Sequence, residues 1–97
     1  MITITAFIRV KKSSADLEKL TSLFTRLIEE TRKEPGCQKY ELHEVTDQPG
    51  LFIMMEEWAS EAALEIHNTS KHFMDFVTSA EPYFTAPIEE FQTKRII

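Results

Sequence analysis

CQKYELHEVTDQPGLFIMMEEW, residues 37–58, reads as two strands around a tight connection. In the first half Cys37, Lys39, Glu41, His43 and Val45 share one side, and Gln38, Tyr40, Leu42 and Glu44 the other. Asp47-Gln48-Pro49-Gly50 is turn chemistry. The second half sets Leu51, Ile53, Met55 and Glu57 against Phe52, Met54, Glu56 and Trp58. Strand, short turn, strand at period two is a hairpin signal.

Working outward, ITITAFIRV over residues 2–10 alternates Ile2, Ile4, Ala6, Ile8 and Val10 against Thr3, Thr5, Phe7 and Arg9, a further strand. Ser13 with Asp16 three residues on fits the start of a helix over about 14–34, with Leu17, Leu20, Phe24, Leu27 and Ile28 as its apolar stripe. Pro35-Gly36 closes that helix. After the hairpin, Ser60 can cap a second helix carrying Ala63, Ile66, His67 and Ser70 on one stripe, with a break or kink at Asn68-Thr69-Ser70. Pro82 opens a connector with Tyr83 and Phe84, and Ile88 to Ile97 reads as a fourth strand. The order is βαββαβ, an α+β, ferredoxin-like arrangement: a four-stranded antiparallel sheet with both helices on one face, residues 1–97 forming one domain.

Such a sheet leaves its second face open. Phe7, Tyr40, Leu42, Phe52, Met54, Trp58 and Phe91 are too many large apolar groups for a solvated surface, although alternation alone does not decide which set faces the helices, because a bulge shifts the phase. A homodimer joined sheet to sheet is the simplest way to cover the second face. With only Gly36 and Gly50, no glycine-rich phosphate loop can be written, and a single cysteine excludes a disulfide framework or a Cys-cluster metal site. Sixteen acidic against eleven basic residues give a net charge of -5, a poor match for nucleic acid or an anionic membrane. The expected setting is cytoplasmic, since no signal peptide and no apolar run near 18 residues is legible.

The chemistry-bearing side chains are few. His67 lies on the apolar stripe of its helix, where an imidazole needs a hydrogen-bond partner or orients and deprotonates a small acidic substrate. His72, beside Phe73, is five residues on, about 140° around a straight helix. That is wrong for a shared metal, and with no evident third ligand among Glu56, Glu57 and Cys37, no metal site is expected. Trp58 and Tyr40 either pack or wall a cavity between sheet and helices, offering N–H and O–H donors. Alternation sends Glu56 toward that cavity beside Trp58, and Glu57 away from it. Cys37 reads as a small buried thiol.

Glu34-Pro35-Gly36-Cys37, with Tyr40, Leu42, Pro49, Phe52, Glu57, Trp58, Ala63, Leu64, His67, His72 and Phe73, resembles the antibiotic biosynthesis monooxygenase domain family. The resemblance implies a ferredoxin-like homodimer, a dimeric α/β barrel, joined through its sheets, with the C-terminal strand reaching toward the other subunit. It further implies oxidation of a quinol or polycyclic phenol by molecular oxygen, with no cofactor. On that basis His67 takes a proton-transfer or orienting role, Trp58 and Tyr40 wall the substrate ring, Glu56 partners His67, and Phe52, Phe73, His72 and Phe7 contact substrate. Haem degradation fits poorly, because Phe7 and Arg9 stand where those relatives carry an asparagine. Two further readings come from other classes: an isomerase acting on a small phosphorylated or polar metabolite, and a non-catalytic dimer that binds a hydrophobic metabolite.

Overall fold

The computed structural model describes all 97 residues. Its elements are β1 (Ile2–Arg9), α1 (Ser14–Thr31), β2 (Cys37–Glu44), β3 (Leu51–Trp58), α2 (Glu61–Asn68), α3 (Lys71–Ala80), a single 3₁₀ turn (Glu81–Tyr83) and β4 (Glu89–Thr93). The strands form one antiparallel sheet in the order β2-β3-β1-β4, the ferredoxin-like arrangement. No helix is long and apolar enough to cross a membrane.

Local chemistry sets the boundaries. The Ser13 hydroxyl accepts from the Asp16 backbone N–H at 3.2 Å and donates to the Asp16 carboxylate at 2.6 Å, which opens α1. The helix stops at Thr31, short of the 34 expected from the pattern, because Pro35 disfavours helical geometry at Glu34 and the chain tightens into turns before it. The second helical stretch is two helices. Ser70 ends the first by donating to the His67 carbonyl at 2.6 Å, and starts the next by accepting from the Phe73 N–H. The fourth strand is shorter than Ile88–Ile97: its last residue, Thr93, pairs with Thr3 near the beginning of β1, and Lys94–Ile97 lie beyond it.

The register resolves the faces. Tyr40 pairs with Glu56, Leu42 with Met54, Ala6 with Met54 and Ile4 with Glu56, so all of these point toward the helices. There Ile4, Ala6, Ile8, Met54 and Trp58 pack on Leu20, Phe24 and Leu27 of α1 and Phe76 and Ala80 of α3, as one core. Of the large apolar groups considered for the uncovered face, Tyr40, Leu42, Phe52, Met54 and Trp58 thus lie beneath the helices. The uncovered face keeps Phe7 and Phe91, edge to face at 5.9 Å, with Ile53 and Met55 beside them in register.

Gly36 is where the turn into β2 meets α2. A Cβ there would lie 2.3 Å from the Cβ of Ala63, closer than two carbons can approach, so the residue without a side chain lets that turn close.

Candidate functional site

Between the covered face and the helices lies a cavity of about 120 Å³, walled mainly by apolar side chains, among them Met54, Phe73 and Phe76. Its polar groups are Tyr40 on β2, Glu56 on β3 and Glu90 on β4. Alternation along the neighbouring strands aims all three the same way, since Tyr40 is opposite Glu56 and Ala6 opposite Glu90.

Glu56 is a buried carboxyl whose one hydrogen-bond donor is the Trp58 indole N–H, at 2.9 Å from Oε1. Burial pushes its pKa up to about 7; the indole bond pulls the other way, and the negative charge of Glu90 adds to the rise. The Tyr40 phenol is held well above its ordinary range, first by burial and then by the charge of Glu56. A carboxyl poised near neutrality in an apolar cavity can take and return a proton at working pH.

Trp58 and His67 stand behind this wall. They are 0% and 1% exposed. The imidazole sits in an aromatic surround, with ring centroids at 4.6 Å from Trp58, 4.9 Å from Phe73 and 5.3 Å from Tyr40. Burial lowers the His67 pKa against the opposing pull of Glu34. Its partner is Glu34, not Glu56 as the resemblance implied: His67 Nδ1 lies 2.8 Å from Glu34 Oε2, while Glu56 is engaged by Trp58.

His72 Nε2 reaches the same Glu34 oxygen at 2.9 Å. The break at Ser70 makes this possible by turning α3 against α2, which a straight helix would not do. Glu34, His67 and His72 are the group of side chains able to hold a metal, with ligand atoms all within 4.8 Å of one another. The donor set is of the zinc type, and its three atoms are already engaged with one another at hydrogen-bond separation. The absence of a third ligand, read from spacing, is therefore corrected: Glu34 occupies that position.

Of the residues singled out from sequence, Tyr40, Glu56, Trp58, His67 and Phe73 gather here. Two lie elsewhere, and a third, His72, joins the site only through Glu34. His72 faces a groove between α1 and α3, with Arg26, Glu30 and Asp75. Phe52 stacks on Phe24 at 5.6 Å, away from the cavity lining. Phe7 is on the opposite face of the sheet. Sequence reasoning missed Glu34 and Glu90. The one sequence signal for Glu34 is its place in the Glu34–Cys37 stretch, and nothing local pairs it with a histidine.

Cavity, sheet order and helix placement define a ferredoxin-like α+β domain with a small chamber between layers. The profile of the antibiotic biosynthesis monooxygenase family matches residues 1–79. The "Putative monooxygenase YcnE" of Bacillus subtilis is 33% identical over 94 residues, 97% of each chain. A crystal structure described as an antibiotic biosynthesis monooxygenase superposes with a TM-score of 0.92 at 28% identity, covering 100% of both chains. A Pseudomonas aeruginosa structure gives 0.85 at 30% identity, covering 99% of this chain and 94% of that one. The chain belongs to the antibiotic biosynthesis monooxygenase family, and its function is monooxygenase-like.

Proposed function

We propose that this protein oxidises a small phenolic or quinol substrate with molecular oxygen, as a homodimer and without a bound cofactor. The observation that carries the reading is Glu56, a carboxyl with a pKa of about 7 opening on an apolar cavity beside the Tyr40 phenol. Cavities of similar size accept a benzene-sized ring, so the volume of about 120 Å³ admits a single aromatic ring.

Triplet oxygen reacts slowly with closed-shell molecules, but a phenolate can pass it one electron. Glu56 removes the phenolic proton, Tyr40 donates to the substrate oxygen, and the apolar walls keep bulk water from the anion. For a quinol the balance closes without any other reductant. One oxygen atom enters the ring, the second leaves as water, and the quinol supplies the four electrons and ends as a hydroxyquinone. The charged cavity residues are the acids Glu56 and Glu90, which suits a neutral phenol and opposes a phosphorylated metabolite. Pairing of two copies through Phe7, Met55 and Phe91 would cover the open face.

The test is oxygen uptake with a one-ring quinol, measured above the uncatalysed blank. Glu56→Gln is expected to lower kcat/KM by roughly 10²- to 10⁴-fold, the usual range for a removed general base. An unchanged rate in that variant overturns the assignment.

A further inference from the structure

Glu34 does not line the cavity, yet the buried side of the site depends on it. Its carboxylate is the only hydrogen-bond partner of His67 Nδ1 and receives His72 Nε2 on the same oxygen. Its other oxygen, Oε1, is buried with no partner. A carboxylate only accepts, so both nitrogens that face it carry hydrogen. For His72 that is the common Nε2–H form. For His67 it is the Nδ1–H form, which free histidine disfavours, and which leaves Nε2 with the ring's lone pair.

We infer that Glu34 is a positioning residue: it locks His67 in the Nδ1–H tautomer and, through the His67–Trp58 stack, aims the indole N–H at Glu56. His72, arriving from the start of α3, is the second donor that keeps the Glu34 carboxylate turned inward. The imidazole lies 4.6 Å from the indole, and the indole is the sole donor to Glu56, so a rotated imidazole displaces the group that tunes the carboxyl. The consequence for catalysis rests on the role proposed for Glu56; the tautomer does not.

The ionisable groups around His67 are Glu34 from the turn before β2, Tyr40 on β2 and His72 on α3. Those near Glu56 are Tyr40, Glu90 and, through charge, the Cys37 thiol at the start of β2, while α1 and α3 present Leu27, Phe73 and Phe76 there.

The experiment is histidine-selective ¹⁵N NMR on the full chain, with far-ultraviolet circular dichroism reporting that each variant is folded. Wild-type protein is expected to show His67 protonated at Nδ1 and bare at Nε2; a bare Nδ1 overturns the inference. Glu34→Leu should lose the Nδ1–H form, and its retention there also overturns it. Glu34→Gln keeps an acceptor but removes the charge. It should therefore preserve the Nδ1–H tautomer, and loss of that form in this variant overturns the proposal even if the leucine variant fails to fold. Equimolar Zn²⁺ that displaces the Nδ1 proton would mark the cluster as a metal site and overturn it as well.

In oxygen-uptake assays Glu34→Leu should lower kcat by roughly 10- to 100-fold, the scale expected for a misplaced catalytic group. Its acid limb should move to higher pH, because the indole bond that lowers the Glu56 pKa is loosened, and Glu34→Gln should recover most of both. A tautomer that behaves as described in a protein with no quinol turnover separates failure of the proposed reaction from failure of this inference.

Discussion

The two faces of one sheet follow the same pleat and carry different physics. On the covered face, Tyr40, Met54 and Trp58 are almost wholly shielded, and even the polar groups Glu56 and His67 have lost their water. On the other face Met55 and Phe91 remain 37% and 49% exposed, interleaved with Thr5, Arg9 and Glu57. Burial makes the first face chemically unusual, because it shifts proton affinities and fixes rotamers. The second keeps ordinary charges and spare apolar area, which suits contact with another surface better than chemistry.

Substitutions can break or sharpen this contrast. The largest effect is expected from Trp58→Ala, which empties the centre of the covered face and removes the donor to Glu56. A loss of about 3–5 kcal/mol in urea unfolding is expected for an indole at such a site. Glu56→Gln acts in the opposite sense and only at some pH values. Below about pH 4.5 the wild-type carboxyl is protonated whether folded or not. As pH rises toward 7 the unfolded chain ionises while the folded one resists, so the wild type loses stability relative to the variant. The difference should grow across that window, level off above pH 7, and approach about 3 kcal/mol. Parallel pH dependences for the two proteins would remove the case for a perturbed carboxyl.

Adding one methyl tests the packing on the covered side. Gly36→Ala drives a Cβ against Ala63, and a loss of about 1–3 kcal/mol is expected by the same measurement. The smallest effect on the fold belongs to the open face. Phe91→Asp, at a half-exposed edge position, should alter unfolding free energy by no more than about 0.5 kcal/mol at dilutions where both proteins are monomers. Under the proposed pairing, sedimentation should show the wild type as a pair and the variant as a monomer at the same concentration. A variant that stays paired would exclude this face as the joining surface.

Much of the fold was legible because it rests on local rules. The period-two runs of the first three strands, the Ser13 cap and the turn at Pro49-Gly50 each act within a few residues, and the structure places them close to where they were read. The site was legible only in part. Tyr40, Glu56 and Trp58 follow from alternation once the register is known, but register is a property of paired strands and not of one. Glu34 was harder still. It lies 33 and 38 residues from its two partners, and the meeting needs both the early end of α1 and the break before α3. Phe7 and Phe52 show the reverse error, since an aromatic on a strand announces apolar area without announcing which chamber it borders.

The joint at Thr69 and Ser70 has one more implication. Asn68, Thr69 and Ser70 are weak helix formers, and at this position that weakness is what brings two imidazoles to a single acid. A chain better suited locally to form one long rod from Glu61 to Ala80 would carry His72 around to another side and strand a carboxylate in nonpolar surroundings. Poor propensity in three residues thus protects the meeting of Glu34 with His67 and His72.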